Sequence, residues 1–316
     1  MRAVQIDRFG DPEVLEVTEV ERPAPGPGEV LVAVGASSVN GHDSLVRSGA
    51  LRIMTGRRFP LGVGLDFAGT AVSTGPGVDP DIVGREVWGT VHPREKHRVA
   101  GAAEYVVVPA DRIGPVPPGL TPVDAASMVV AGVTALTALH EAARLTGGER
   151  VLVRGAAGGV GTAAVQLAHA LGSDVTALAR DRHARALTEL GADRVLDYRS
   201  TTPEETGPFD VILDTVGTDL AVWRRRLAPG GRMVTVGLSP SALAAVARSA
   251  VHGGRRIRTF SANPHTAQLN ELAAQVGAGA LHPVVDGVYP LDDIASAHRA
   301  FDRGGVLGKQ VVSVTA

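Results

Sequence analysis

The chain has 316 residues, enough for one large core or two ordinary ones, so two domains are expected. Hydrophobic residues make up 44% and charged residues 20%, the balance of a soluble globular protein rather than a disordered one. Net charge is −2, so no overall field recruits nucleic acid or an anionic membrane, and the absence of cysteine excludes disulfides and Cys-ligated zinc. The short basic clusters Arg224-Arg225-Arg226 and Arg255-Arg256 read as solvated faces. Met1 leads into a strand-like segment with no charged region and apolar core of a signal peptide. The longest nearly apolar stretch, Ala125 to Leu139, falls short of the ~18 residues of a membrane span. A cytoplasmic protein is the expectation.

From Met1 to about Gly119 the chain is rich in Pro and Gly and carries short runs of period two, such as Glu29–Val34, Asp66–Val72 and Glu104–Val108. That texture predicts short antiparallel strands in a barrel-like β domain over residues 1–120. Pro115, Pro117 and Pro118 form a stiff connector. A helix-like apolar segment then runs from Thr121 to about Ala143.

Strands are predicted at Arg150–Arg154, Asp174–Ala179, Arg194–Asp197, Phe209–Asp214, Arg232–Val236 and Arg256–Phe260. Helices are predicted between them at Gly159–Leu171, Arg182–Leu190, Asp219–Leu227 and Ser241–Val251. Alternation of this kind implies βαβ units and a doubly wound parallel sheet, an α/β domain over residues 121–260. Residues 261–316 carry helices near Thr266–Val276 and Leu291–Phe301 and strands near Val284–Tyr289 and Gln310–Val314. This tail is expected to return to the first domain.

The strand Val151-Leu152-Val153 ends in Gly155-Ala156-Ala157-Gly158-Gly159-Val160-Gly161, and a helix follows. In the dinucleotide fingerprint Ala156 takes the first glycine position, Gly158 the second and Gly161 the third. The second lets backbone approach a pyrophosphate, and the third lets helix and strand pack closely. Strand before, helix after and further βα units downstream are the context that the motif demands. An NAD site places an acidic side chain about 20 residues on, at the end of the second strand. Here that strand ends at Arg180, with Arg182 and His183 behind it, and Arg suits a 2′-phosphate. NADPH is the expected cofactor, with Asp181 the one residue that could serve NAD instead.

Ser38-Val39-Asn40-x-x-Asp43, Arg47-x-Gly49, Phe59-Pro60, Gly64-x-Asp66-Phe67-Ala68-Gly69 and Ala103-Glu104-Tyr105 occur in that order before the glycine turn. Gly191-Ala192-Asp193, Asp197-Tyr198-Arg199, Asp214-x-Val216-Gly217, Gly230-Gly231-Arg232 and Gly308-Lys309 follow it. The series resembles, essentially end to end, the zinc-independent quinone oxidoreductase branch of the medium-chain dehydrogenase/reductases. The resemblance implies a GroES-like β domain, a Rossmann domain and a homodimer. It also implies that Asn40 and Leu65 stand where zinc-dependent relatives carry a catalytic Cys and His, and that only the Val91–Ala100 loop spans the region of their structural zinc lobe. His92 and His97 in that loop read as surface residues.

By the same resemblance Asn40 lies near the nicotinamide ribose or the substrate oxygen, Thr134 near the carboxamide and Tyr198 at the 2′-phosphate. Val216, Gly217 and Gly237 border the nucleotide, and Lys309 approaches the nicotinamide half. Leu45 and Leu51 stand where such enzymes often carry aromatic side chains, so with Leu65 they are expected to line an aliphatic pocket. The expected reaction is metal-free reduction of a quinone or an α,β-unsaturated carbonyl, with Asn40 as donor to the enolate oxygen and solvent as the proton source. Two other readings stand beside it. One is a stand-alone enoyl reductase, with Arg52, Arg57 and Arg58 facing a phosphopantetheine; the other is an NADPH-binding sensor or structural protein.

Overall fold

The computed structural model describes residues 1–56, 58–91, 99–237, 240–251, 256–260 and 262–314. Arg57, His92, His97 and Arg255 therefore lie outside the described residues. The chain divides into two compact units: Met1–Val130 with Asn263–Gly277 and Pro283–Ala316, and Ala131–Ala262 with Ala278–His282.

The first unit begins with β1 (Arg2–Ile6), β2 (Glu16–Glu19) and β3 (Glu29–Ser38), followed by helices α1 (Gly41–Arg47) and α2 (Arg52–Thr55). Then come β4 (Leu61–Gly62), β5 (Asp66–Thr74), β6 (Glu86–Thr90), β7 (Tyr105–Pro109) and β8 (Ile113–Pro115). Helix α3 (Pro122–Leu136) leads into the second unit, which holds β9 (Arg150–Arg154), α4 (Gly159–Ala170), β10 (Asp174–Ala179), α5 (Ala184–Glu189) and β11 (Arg194–Asp197). It continues with β12 (Phe209–Asp214), α6 (Leu220–Trp223), β13 (Leu227–Thr235), α7 (Pro240–Val251) and β14 (Ile257–Thr259). The first unit is completed by α8 (Thr266–Gly277), β15 (Val285–Pro290), α9 (Ile294–Arg303) and β16 (Lys309–Ser313).

In the first unit a seven-stranded sheet runs β15-β16-β3-β5-β6-β8, with β7 also on β3, beside a three-stranded sheet β2-β1-β4. Val4, Ile6, Val32, Phe67, Val106 and Val312 belong to its core, and each is almost wholly buried. The pairing is antiparallel except for β15 on β16, which run parallel because α9 makes a crossover between them. Period two does not register that exception, because it reports the faces of a strand and not its direction.

The second unit is one parallel sheet of order β11-β10-β9-β12-β13-β14. Its central strands carry Val151-Leu152-Val153 and Val211-Ile212-Leu213 with no exposure, as expected of a sheet buried on both faces. Each such side chain contributes about 1.5–3 kcal/mol on burial. The chain is α/β, with a GroES-like β unit and a Rossmann-type sheet. The largest departures from the predicted boundaries are two. The Asp219–Leu227 helix shortens to α6 plus a 3-10 turn, and β13 begins at Leu227 rather than Arg232.

The apolar segment predicted from Thr121 to about Ala143 forms one continuous helix. Helix α3 continues as a π-helical stretch, Thr137–Ala143, so the helix spans 22 residues, which by length and composition suffices to cross a membrane. Of its most apolar window 78% is buried inside the folded chain, as in a core helix.

Candidate active site

In the second unit the glycine turn sits at the carboxyl end of the central strand β9, where ligands bind in open α/β sheets. A Cβ on Gly161 would stand 2.2 Å from the Gly155 carbonyl oxygen and 2.7 Å from Ala156, so only glycine lets α4 pack this closely on the turn. A Cβ on Gly158, by contrast, would meet only the Gly155 oxygen at 3.6 Å, so that side of the turn has room for a ligand. Gly158 is the N-cap of the twelve-residue α4, and the first amides of a helix lack intrahelical partners. These amides and that open side fit the pyrophosphate of a dinucleotide.

Two further turns abut this one. A Cβ on Gly155 would come within 2.3 Å of Thr215 Oγ1 and 3.0 Å of Val216, and one on Gly237 within 2.7 Å of Gly217 Cα. The structure therefore brings Ala156 to Gly161, Val216, Gly217 and Gly237 into one cluster at the ends of β9, β12 and β13. Val216 is half exposed there. At the end of β10, Arg180 Nε donates to Tyr198 Oη at 3.0 Å, which holds the phenol below its ordinary pKa. Arg182 is exposed, and its Nε donates to the neighbouring His183 at 3.1 Å. Asp181 is exposed, with its amide on Asp197 Oδ2 at 3.3 Å. Thr134 is buried on α3, and among the described residues no hydrogen bond ties it to the turn.

The first unit holds a second polar cluster. Lys309 Nζ, at the start of β16, donates to Asn40 Oδ1 at 2.6 Å and to the Val39 carbonyl at 2.7 Å. Asn40 Nδ2 donates to Asp66 Oδ2 and to the Ser38 carbonyl, each at 3.0 Å. Asp66 also accepts from the Ser38 amide at 2.8 Å and the Ser38 hydroxyl at 2.7 Å. All of these side chains are buried. Burial pushes the Asp66 carboxyl up against the pull of Lys309, and pushes the Lys309 ammonium down against Asp66 and Asp43. With Asp66 accepting from Ser38 and Asn40, and Lys309 donating to Asn40 and Val39, the bonding is that of an ionised pair bridged by a neutral amide.

This corrects the expected role of Asn40. An amide has two donor hydrogens, and both are spent on Asp66 and Ser38, so none remains for a substrate oxygen. Asn40 links Lys309 to Asp66 instead. Of the aliphatic trio, Leu45 and Leu51 are partly exposed, whereas Leu65 packs against the first unit's core.

Sequence reasoning assigned no role to Asp66, Asp43, Arg154 or Asp214, all nearly or wholly buried. A signal existed for two of them. Asp66 opens, and Asp214 closes, a strand otherwise apolar on its buried positions, where an unpaired charge is too costly to keep.

Residues 26–118 match a family model described as alcohol dehydrogenase GroES-like domain, and residues 190–312 one described as zinc-binding dehydrogenase. The human mitochondrial NAD(P)H oxidoreductase RTN4IP1 is 32% identical over 99% of this chain and 89% of its own. A mycocerosic acid synthase-like polyketide synthase of Mycobacterium tuberculosis is 33% identical over 98% of this chain, which spans 15% of that protein. The structure of a quinone oxidoreductase from Coxiella burnetii superposes with a TM-score of 0.92 at 29% identity, over 100% of this chain and 99% of that one. The chain is an oxidoreductase and belongs to the quinone oxidoreductase-like branch of the medium-chain dehydrogenase/reductase family.

Proposed function

We propose that the chain uses NADPH to reduce the C=C bond of an α,β-unsaturated carbonyl, or a quinone, without a metal. The observation that carries the reading is the glycine turn joined, on the neighbouring strand ends, by the Arg180–Tyr198 pair. A guanidinium presents a planar fork of donors suited to a 2′-phosphate, and Tyr198 Oη holds it at the surface. A bound reduced nicotinamide supplies hydride to an electron-poor carbon. The chain's own part is to hold that carbon in near-attack geometry, an effect worth ~7–11 kcal/mol in favourable cases.

The donor set supports metal-free chemistry. Leu65 has no ligand atom, and Asn40 Oδ1 already accepts from a buried ammonium. Among the described residues no three His, Asp or Glu side chains cluster to hold a metal. These residues do not fit the zinc that the second matched description implies. A conjugated carbonyl stabilises its own enolate and needs no Lewis acid. Leu45 and Leu51 favour small aliphatic enones over flat polycyclic quinones.

The proposal extends to residues 1–120 and 261–316 as substrate domain and residues 121–260 as NADPH domain. It further covers a cytoplasmic homodimer that takes a small molecule and neither nucleic acid nor membrane, in keeping with the net charge of −2. The test is a panel of enones, quinones, saturated ketones and alcohols, run with deuterium at the transferring position of NADPH. Deuterium is expected on the β-carbon of the reduced enone. Brisk turnover of alcohols or saturated ketones alone would overturn the reaction and leave the fold untouched. A carrier-bound enoyl chain is the second reading, favoured by the likeness to the polyketide synthase segment. It requires pantetheine-linked enoyl thioesters to outrun free enones in kcat/KM.

A further inference from the structure

We propose that Arg199, and not Arg182, is the second cation for the cofactor's 2′-phosphate beside Arg180 and Tyr198, a proposal that rests on the NADPH reading above. In the parallel pairing of β10 with β11, Ala179 stands opposite Asp197. The Tyr198 amide extends that pairing by donating to the Ala179 carbonyl at 3.1 Å. The chain therefore leaves both strands at one level, as Arg180 after β10 and as Tyr198 and Arg199 after β11.

Asp197 clasps the two exits. Its Oδ1 accepts from the Arg199 amide at 2.8 Å and its Oδ2 from the Asp181 amide at 3.3 Å. The Arg199 amide above all, then the Asp181 amide and the charges of Arg199 and Arg180, hold this carboxyl below the ordinary range. Its oxygens are thus turned to backbone amides. Among the described residues neither Arg180 nor Arg199 forms an ion pair with a carboxylate.

The two guanidinium groups meet at one neutral oxygen instead. Arg180 Nε donates to Tyr198 Oη at 3.0 Å, and Arg180 first, then Arg199, hold the phenol below its ordinary pKa. Like charges brought to one oxygen repel each other, and an anion between them relieves that repulsion. Tyr198 is half exposed, and among the described residues its own hydrogen is donated to no acceptor. A phosphate monoester carries roughly −1.5 to −2 charges at neutral pH, so one guanidinium leaves about half of it unmatched and two balance it. Arg182 is directed elsewhere: its Nε donates to His183 Nε2 at 3.1 Å, within the 3-10 turn that leads into α5.

The probes are NADP⁺ and NAD⁺, which differ by the 2′-phosphate alone, titrated calorimetrically into the wild type, Arg180→Ala, Arg182→Ala, Arg199→Ala and Arg199→Lys. Arg199→Ala should weaken NADP⁺ by about tenfold, the loss of one charge-assisted partner, and leave NAD⁺ unchanged. Arg199→Lys should recover part of that loss, because a lysine restores the charge without the planar fork. Arg182→Ala should leave both affinities close to those of the wild type. If Arg180→Ala loses NADP⁺ affinity and Arg199→Ala does not, the phosphate has one arginine, and this proposal fails while the NADPH reading stands. A loss in Arg182→Ala as large as in Arg199→Ala overturns the choice between them, and equal losses of NADP⁺ and NAD⁺ in Arg199→Ala overturn the phosphate contact. A wild type that binds NAD⁺ as tightly as NADP⁺ removes the NADPH reading as well.

Discussion

Arg154 and Asp214 form a buried ion pair between the carboxyl ends of neighbouring strands β9 and β12. The guanidinium also donates to the Thr218 carbonyl at 2.8 Å and lies 4.8 Å from the centre of the Trp223 ring. The other carboxylate oxygen accepts from the Gly217 amide at 2.8 Å and the Thr235 hydroxyl at 3.0 Å. Burial pushes Arg154 down and Asp214 up, each against the pull of its partner. One pair thus ties together the strand ends and the turn that border the proposed cofactor site.

Breaking that pair from one side should therefore be worse than removing it. Arg154→Met leaves a buried carboxylate without its cation, which typically costs about 3–5 kcal/mol. Arg154→Met combined with Asp214→Asn should recover much of that loss, since the amide oxygen can still accept from Gly217. Urea unfolding of the wild type and the two variants checks both statements, and equal losses in the single and double variants would contradict them.

Cofactor preference should rest on Arg180. Losing a charge-assisted partner costs about 1.5–3 kcal/mol, roughly tenfold to a hundredfold in affinity. Arg180→Ala should weaken NADPH by that factor and leave NADH nearly unchanged, with Tyr198→Phe a smaller version of the same effect. Calorimetric titration of both cofactors decides it. Equal losses for NADPH and NADH would mark a structural defect instead.

Lys309→Met tests the amide bridge in the first unit. Without the ammonium, Asn40 Oδ1 loses its donor and Asp66 its countercharge, so the amide is no longer held in one orientation. Leaving the buried Asp66 carboxylate without its cation should cost about 3–5 kcal/mol of stability, read from urea unfolding. An unchanged urea midpoint would show that the pair contributes nothing to stability.

Stability should fall in mild acid because of His298. Burial pushes its imidazole down to about 4, against an ordinary 6.5. Between those values the unfolded chain binds a proton that the folded chain does not, so stability is full above about pH 6.5 and falls as pH drops towards 4. For one group the loss is at most about 3 kcal/mol. Urea midpoints at pH 7 and pH 5 should differ in the wild type, and the difference should shrink in His298→Gln.

Much of the second unit was legible in the sequence, because βαβ alternation and the glycine turn encode local geometry. Strands β9, β10, β11 and β12 match their predicted limits. The polar chemistry of the first unit was not legible. Asn40, Asp66 and Lys309 are separated by up to 269 residues along the chain, and only folding shows that the Asn40 hydrogens are already committed. A side chain's type can be read from sequence, whereas its remaining capacity to donate depends on partners that sequence does not pair.

The return of β16 to β3 sets an order of assembly. The second unit is nearly continuous along the chain, so its parallel sheet can close while later residues are still being made. The first unit cannot: β3, near the start, waits for Lys309–Ser313 to cover the Ala36–Ser38 end of its edge. Until then the Ala36–Ser38 end of β3, beyond the reach of β7, offers unpaired backbone groups to other chains, a known route to aggregation during synthesis. A ribosome stalled short of residue 309 should therefore release a chain with a finished Rossmann sheet and a sticky, incomplete β unit.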